Sequence, residues 1–153
     1  MVSKSQHPAA KLFSRSESKA LAERGLELPP ERVVERPYRV ADGRSGLREL
    51  MRCDPRPTAV VCGNDTLAFG AMLEAQAMGF DVPGDVSIAG FDDVDWASQL
   101  PPGLTTIALP APEVGRMAAD YLIDTLSGKQ LPHATEVPTR LVRRGSTGPA
   151  PVL

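Results

Sequence analysis

The chemistry of this chain is concentrated at the ends of two short apolar runs. Pro57-Thr-Ala-Val-Val-Cys-Gly-Asn-Asp65 and Val86-Ser-Ile-Ala-Gly-Phe-Asp-Asp93 each stop abruptly at amide and carboxylate side chains. Asn64 offers both a donor and an acceptor, which suits vicinal hydroxyls. The Asp92 carboxylate can accept two hydroxyl hydrogen bonds, and charge-assisted bonds of that kind are worth about 1.5–3 kcal/mol each when shielded from water. Asp65 is read as a helix cap, the better one of the Asn64-Asp65 pair. Asp92 and Asp93 together could instead hold Mg²⁺ at a strand end. No Gly-rich phosphate loop and no well-placed Lys accompanies them. His7 and His133 lack metal-ligand spacing, and no Gly-x-Ser-x-Gly elbow presents a nucleophilic serine. The residues therefore point to binding without a catalytic step, and to no metal or cofactor.

The elements that must position these tips follow from the apolar pattern. Short runs rich in Val and Ile, bounded by Pro or Gly, read as buried strands of a parallel sheet over Thr58–Cys62 and Val86–Ala89. In open α/β sheets a ligand binds just beyond the carboxyl ends of such strands. A helix follows Asn64-Asp65 to about Met78, with Leu67, Ala71 and Ala75 on one face and Gly79 as its left-handed stop. Upstream, Ser16–Arg24 reads as a short helix, Arg32–Tyr38 as a strand, and Gly43–Arg52 as a helix. Downstream, Asp92–Leu100 reads as a loop with one helical turn around Trp96, and Leu104–Ala108 as an extended piece. The stripe Val114, Met117, Ala118, Tyr121, Leu122 and Thr125 marks another helix opened by Pro110-Ala-Pro112. Glu136–Val142 is a last strand, and Arg143–Leu153 trails off rich in Gly and Pro. Alternating strands and helices of these lengths imply an α/β fold with a doubly wound, mostly parallel sheet.

Composition narrows the function class. The chain has 153 residues, 42% of them hydrophobic, enough for one domain with a real core. A net charge of −2 with no basic stripe argues against this chain gripping nucleic acid by itself. Cys53 and Cys62 make no disulfide framework, and a reducing cytoplasm fits them. No 18-residue apolar stretch is present, as a membrane-spanning helix would need. Residues 1–18 lack the apolar centre of a secretory signal and read as a poorly ordered leader.

Five motifs, in order, resemble the LacI/GalR family of bacterial transcription regulators. They are Thr58-Ala-Val-Val-Cys-Gly-Asn-Asp65, Leu67-Ala-Phe-Gly-Ala71, Gly79 through Asp93, Leu104-Thr-Thr106 and Gly115-Arg-Met-Ala-Ala119. Pro138-Thr-Arg-Leu-Val-Arg-Arg-Gly-Ser146 is similar to the family's last strand. The resemblance covers roughly Val33 to Thr147. It implies a periplasmic-binding-protein-like (type I) sensor whose two subdomains clasp a small polar effector, a sugar or a nucleobase, in a repressor that binds operator DNA as a dimer. The part present corresponds to the carboxyl-terminal subdomain, without the helix-turn-helix or the first subdomain. Residues 19–147 would be the partial effector-binding domain and 148–153 a tail.

The resemblance places effector contacts at Asp92 and Asn64, and a ring-stacking aromatic near Tyr38. Trp96 would line the pocket mouth or a homodimer contact, together with the helix Leu67–Met78. Arg15 is a further candidate, although the family's effector-binding Arg aligns with Phe13, two residues earlier. The helix at 112–126 would pack into the first subdomain, so its apolar stripe would lack that partner here. A chain holding half the clasp should bind effector weakly and should not bind an operator. Two alternatives share the fold: a solute-binding protein of a transporter, against which the lack of a signal segment weighs, and a doubly wound metal-dependent enzyme using Asp92 and Asp93.

Overall fold

The computed structural model describes residues 18–150. A helical stretch runs over 18–22, within the helix expected there. Three longer helices and four strands follow: α1 (Val40–Leu50), β1 (Ala59–Val61), α2 (Asp65–Ala77), β2 (Ser87–Ala89), β3 (Thr106–Ala108), α3 (Ala111–Leu126) and β4 (Arg140–Val142). Strands β1 and β2 pair in parallel, with Val60 opposite Ile88. Parallel bridges at Ala89–Thr105 and Asp92–Ala108 continue the sheet to β3. β4 returns antiparallel to β3, so the last strand departs from the parallel pattern. Val60, Cys62, Val86 and Ile88 are buried, but Ala59 and Val61 are exposed, so β1 alternates and turns one face to the core where its continuous apolar run predicts burial on both.

Helix α2 is the centre of the core. Leu67, Ala68, Ala71 and Ala75 are fully buried, and α1 lies directly across it. Two glycines set that crossing. A Cβ at Gly43 would strike the Leu67 carbonyl, and one at Gly70 would strike the Val40 carbonyl, so the two backbones touch. α1 adds Leu47 and Leu50 to the core. Its Arg44 and Arg48 reach Glu74 of α2 at 2.9 Å and 2.6 Å, satisfying a carboxylate that is 3% exposed.

Three expectations are corrected. Arg32–Tyr38 is not a continuous strand: a 3-10 turn occupies Pro30–Arg32, Val33 is extended, and Glu35 alone forms a β-bridge. The segment Arg144–Gly148 does not trail off. Ser146 is fully buried at the amino ends of β2 and β3, where its backbone pairs with Ile88 and Gly103. Its hydroxyl donates to the Ile88 carbonyl at 2.6 Å and accepts from the Thr105 amide at 2.8 Å. A run of Gly, Pro and polar residues carries no apolar signal, so this anchoring through one hydroxyl was invisible to pattern reading. The third concerns capping: Asn64, not Asp65, caps α2, its side-chain oxygen accepting from the Leu67 amide at 2.9 Å.

Helix α3 stands apart from the rest. None of its residues is buried, and Leu122, Ile123 and Leu126 are 62%, 62% and 88% exposed. Its amphipathic pattern dictates a helix, but the described residues offer no surface against which to bury the stripe. Gly128, at φ 80°, ends it.

Candidate functional site

The carboxyl ends of β1 and β2 run side by side. The Cys62 amide donates to the Ala89 carbonyl at 2.8 Å, and the Asp65 amide to the Phe91 carbonyl at 2.8 Å, so the strand pairing extends into both tips. This brings the Asn64-Asp65 turn alongside Asp92 and Asp93, in the position where parallel sheets hold ligands.

The three carboxylates here have different surroundings. Asp65 is fully buried. Its Oδ1 accepts from the Thr106 hydroxyl at 2.6 Å and its Oδ2 from the Val94 amide at 3.0 Å. Burial pushes its pKa up, against the pull of the Thr106, Val94 and Asp93 hydrogen bonds. Asp93 is paired with Arg144 at 2.6 Å, and the same guanidinium donates to the Leu104 carbonyl at 2.7 Å. Asp92 lies on the open rim. Among the described residues its carboxylate accepts no hydrogen bond, and its pKa is raised first by the protein packed around it and then by the charge of Asp65.

The backbone here is unusual. Asp92 has φ 121° and Asp93 has φ 56°, two consecutive non-glycine residues in the left-handed half of the map. Such conformations cost on the order of 1–3 kcal/mol each and persist only where the surroundings over-determine them. The surroundings here are the Asp92 amide bonded to the Ile107 carbonyl at 2.9 Å, the Asp93–Arg144 pair, and the Val94 amide on Asp65.

The other sequence candidates are distributed differently. Asn64 is at the tip but its oxygen is committed to the cap, leaving its amide nitrogen as the polar group it can offer. Trp96 sits on the 3-10 turn Asp95–Ser98, and its ring packs on Phe69 of α2 with centroids 5.4 Å apart. Phe69 in turn lines a hollow of about 360 Å³ with Met72, Phe80, Leu100 and Pro101. Tyr38 is 41% exposed just before α1, and among the described residues no hydrogen bond or ring contact joins it to Asn64, Asp92 or Trp96. Arg15 lies outside the described residues. Among the described residues no group of three or more His, Cys, Asp or Glu could hold a metal ion. The Asp93 carboxylate that the metal reading needs is the one paired with Arg144.

Sequence reading missed the supports of this rim: Asp65 as a bridge rather than a cap, Thr106, and Arg144. The signal available was weak. Thr105-Thr106 and Arg143-Arg144 are polar residues beside apolar runs, and only the tertiary approach of β3 and the final segment gives them partners.

A family model for the periplasmic binding protein-like domain matches residues 2–147. The HTH-type transcriptional repressor PurR of Escherichia coli is 36% identical over 134 residues, which is 87% of this chain and 39% of PurR. The crystal structure of a LacI family transcriptional regulator from Mycobacterium smegmatis superposes with a TM-score of 0.90 at 30% identity, over 99% of this chain and 56% of that one. The transcriptional regulator CelR in complex with cellobiose gives 0.89 at 26% identity, over 95% of this chain and 45% of that one. The chain thus spans 39% of the length of the curated repressors it matches.

Proposed function

This chain belongs to the periplasmic binding protein-like domain family, as part of a LacI/GalR-type regulator, and from that premise we infer that it contributes one wall of a small-molecule effector site. The observation that carries the reading is the Asp92 carboxylate, held at a strand end by a strained backbone and left without a hydrogen-bond donor among the described residues. A sugar or other hydroxyl-rich molecule supplies such donors. Asn64 adds its amide nitrogen, and Tyr38 an exposed aromatic face on the approach to α1. Residues 19–147 form this wall, and α3 reaches into the opposing half of the clasp.

The mechanism is binding without chemistry. An effector that contacts both walls binds one arrangement of the two halves better and shifts the population toward it, which changes the affinity of the full regulator for DNA. The relatives are transcriptional repressors, which favours this role over catalysis. One relative was solved with cellobiose and another, the Lac repressor, with ONPG, which supports a sugar-like ligand for this chain. The site of action is the cytoplasm, where operators are; no described helix is long and apolar enough to cross a membrane. Trp96, Phe69 and the hollow beside them form the face through which two copies pair.

The test is a ligand-observed NMR and thermal-shift screen of this chain against cellobiose, simpler sugars and purine bases. One wall of a clasp should give dissociation constants on the order of millimolar. Asp92→Ala should abolish the signal of any hit. A hit that survives the substitution removes Asp92 from the site, and nanomolar affinity for operator DNA would overturn the assignment of this chain to sensing alone.

A further inference from the structure

We propose that Asp65 is the positioning residue of this site, a buried carboxylate that holds the loop carrying Asp92 in its left-handed conformation. The inference rests on the effector-site reading only for its purpose; the holding itself is a separate physical claim. Asp65 is the first residue of α2, so its backbone is fixed by the Asn64 cap and by the bond from its amide to the Phe91 carbonyl. Its side chain points under the loop. Oδ2 takes the amide of Val94, the first residue after the two left-handed positions, and Oδ1 takes the hydroxyl of Thr106 on β3. One carboxylate thereby ties α2, the loop and β3 together.

The packing around it leaves no slack. A Cβ at Gly90 would run into Asp65 Oδ1 and press on Leu104 and Ala68, so the chain entering the loop passes directly over the carboxylate. A helix cap needs none of this: Asn64 already performs the capping. A buried charge is costly unless its lone pairs are well used; this carboxylate holds the exit of the strained turn at Val94 and ties it to β3 at Thr106, while the Asp65 amide holds the entry at Phe91. Without the Val94 anchor, Asp92 and Asp93 relax toward negative φ and the Asp92 carboxylate leaves the rim. Trp96, two residues beyond Val94, moves with them.

Trp96 is the chain's single tryptophan, so its emission reports on this loop alone. In Asp65→Ala the Val94 amide should exchange at least tenfold faster and Trp96 emission should shift to the red, while the Leu67–Ala75 amides of α2 keep their protection. Asp65→Asn should behave like wild type, because its oxygen can accept from Val94 while its nitrogen donates to Thr106 Oγ1. An unaltered Val94 amide and unaltered Trp96 emission in folded Asp65→Ala would overturn the proposal, as would an Asp65→Asn loop as mobile as the alanine variant's. Should Asp65→Ala fail to fold, wild-type exchange decides: a Val94 amide as protected as Thr106 supports the anchor, and one exchanging at the rate of an exposed loop refutes it. Asp92→Asn separates the two claims. It should leave Val94 and Trp96 unchanged while lowering effector binding, so a failed screen bears on the site and a mobile loop bears on Asp65.

Discussion

At the scale of the residue, two buried carboxylates of this domain respond to acid in opposite directions. Glu74, clasped by Arg44 and Arg48, has its pKa held below the usual glutamate value, first by the hydrogen bond from Arg44. Its contribution to stability is therefore present above pH 4.5 and is lost as the pH falls through its lower folded-state value. Asp65 has a raised pKa, so its protonation favours the fold: that contribution is complete below pH 3.8 and disappears as the pH rises through its folded-state value. Urea unfolding at a series of pH values should show Glu74→Gln flattening the acid limb, with a loss of about 2 kcal/mol at neutral pH because two arginines lose their charged partner. Asn64→Ala should cost about 1 kcal/mol through the lost cap. An unchanged urea midpoint for Asn64→Ala would show that the Leu67 amide finds another acceptor.

These two neighbours also show what a sequence can and cannot say about single residues. That Asn64-Asp65 opens a helix at a strand tip follows from Gly63 and the apolar run before it. Which of the two caps and which turns inward depends on Thr106, 41 residues away in the chain. No local pattern encodes that choice. Asp92 was legible as a strand-end carboxylate; its left-handed backbone was not, because aspartate tolerates that region without dictating it and tertiary contacts decide.

At the scale of the element, legibility follows burial. β1, β2 and α2 carry the buried Val60, Ile88, Leu67, Ala68, Ala71 and Ala75, and each lies within a residue or two of its sequence-based bounds. The Val33-Val34 run predicted a strand, yet only Val34 is buried and the preceding prolines bend the chain into a turn. The α1–α2 crossing is set by Gly43 and Gly70, which read as ordinary helix-weakening residues until the two backbones are seen in contact. Gly70→Ala should therefore destabilise by about 1–3 kcal/mol despite alanine's higher helix propensity, and chemical denaturation measures it. Helix α3 is the converse case: a strong amphipathic pattern with nothing among the described residues to cover it. Its amides should exchange on the order of a hundredfold faster than those of α2 in the isolated chain. Equal protection in a monomer would mean that the helix has found a surface within this domain.

At the scale of the whole molecule, two exposed faces divide the domain. On the proposed reading the Asp92 rim and α3 would face the opposing half of the clasp, and the Phe69–Trp96 contact offers a separate surface on α2. Pairing of two copies through the latter buries the hollow bounded by Met72, Phe80 and Leu100. Sedimentation should then show a concentration-dependent dimer that Phe69→Glu converts to monomer without loss of helix content. A dimer indifferent to that change places the interface elsewhere, with the α3 stripe the next surface to test.

The seam closed by Ser146 bears on how the polypeptide is made. Strands β1, β2 and β3 leave the ribosome well before residue 146, yet until that hydroxyl arrives the Ile88 carbonyl and the Thr105 amide have only water to bind. The nascent sheet thus emerges with an open edge, exposed to unwanted pairing for as long as the final segment is still being synthesised.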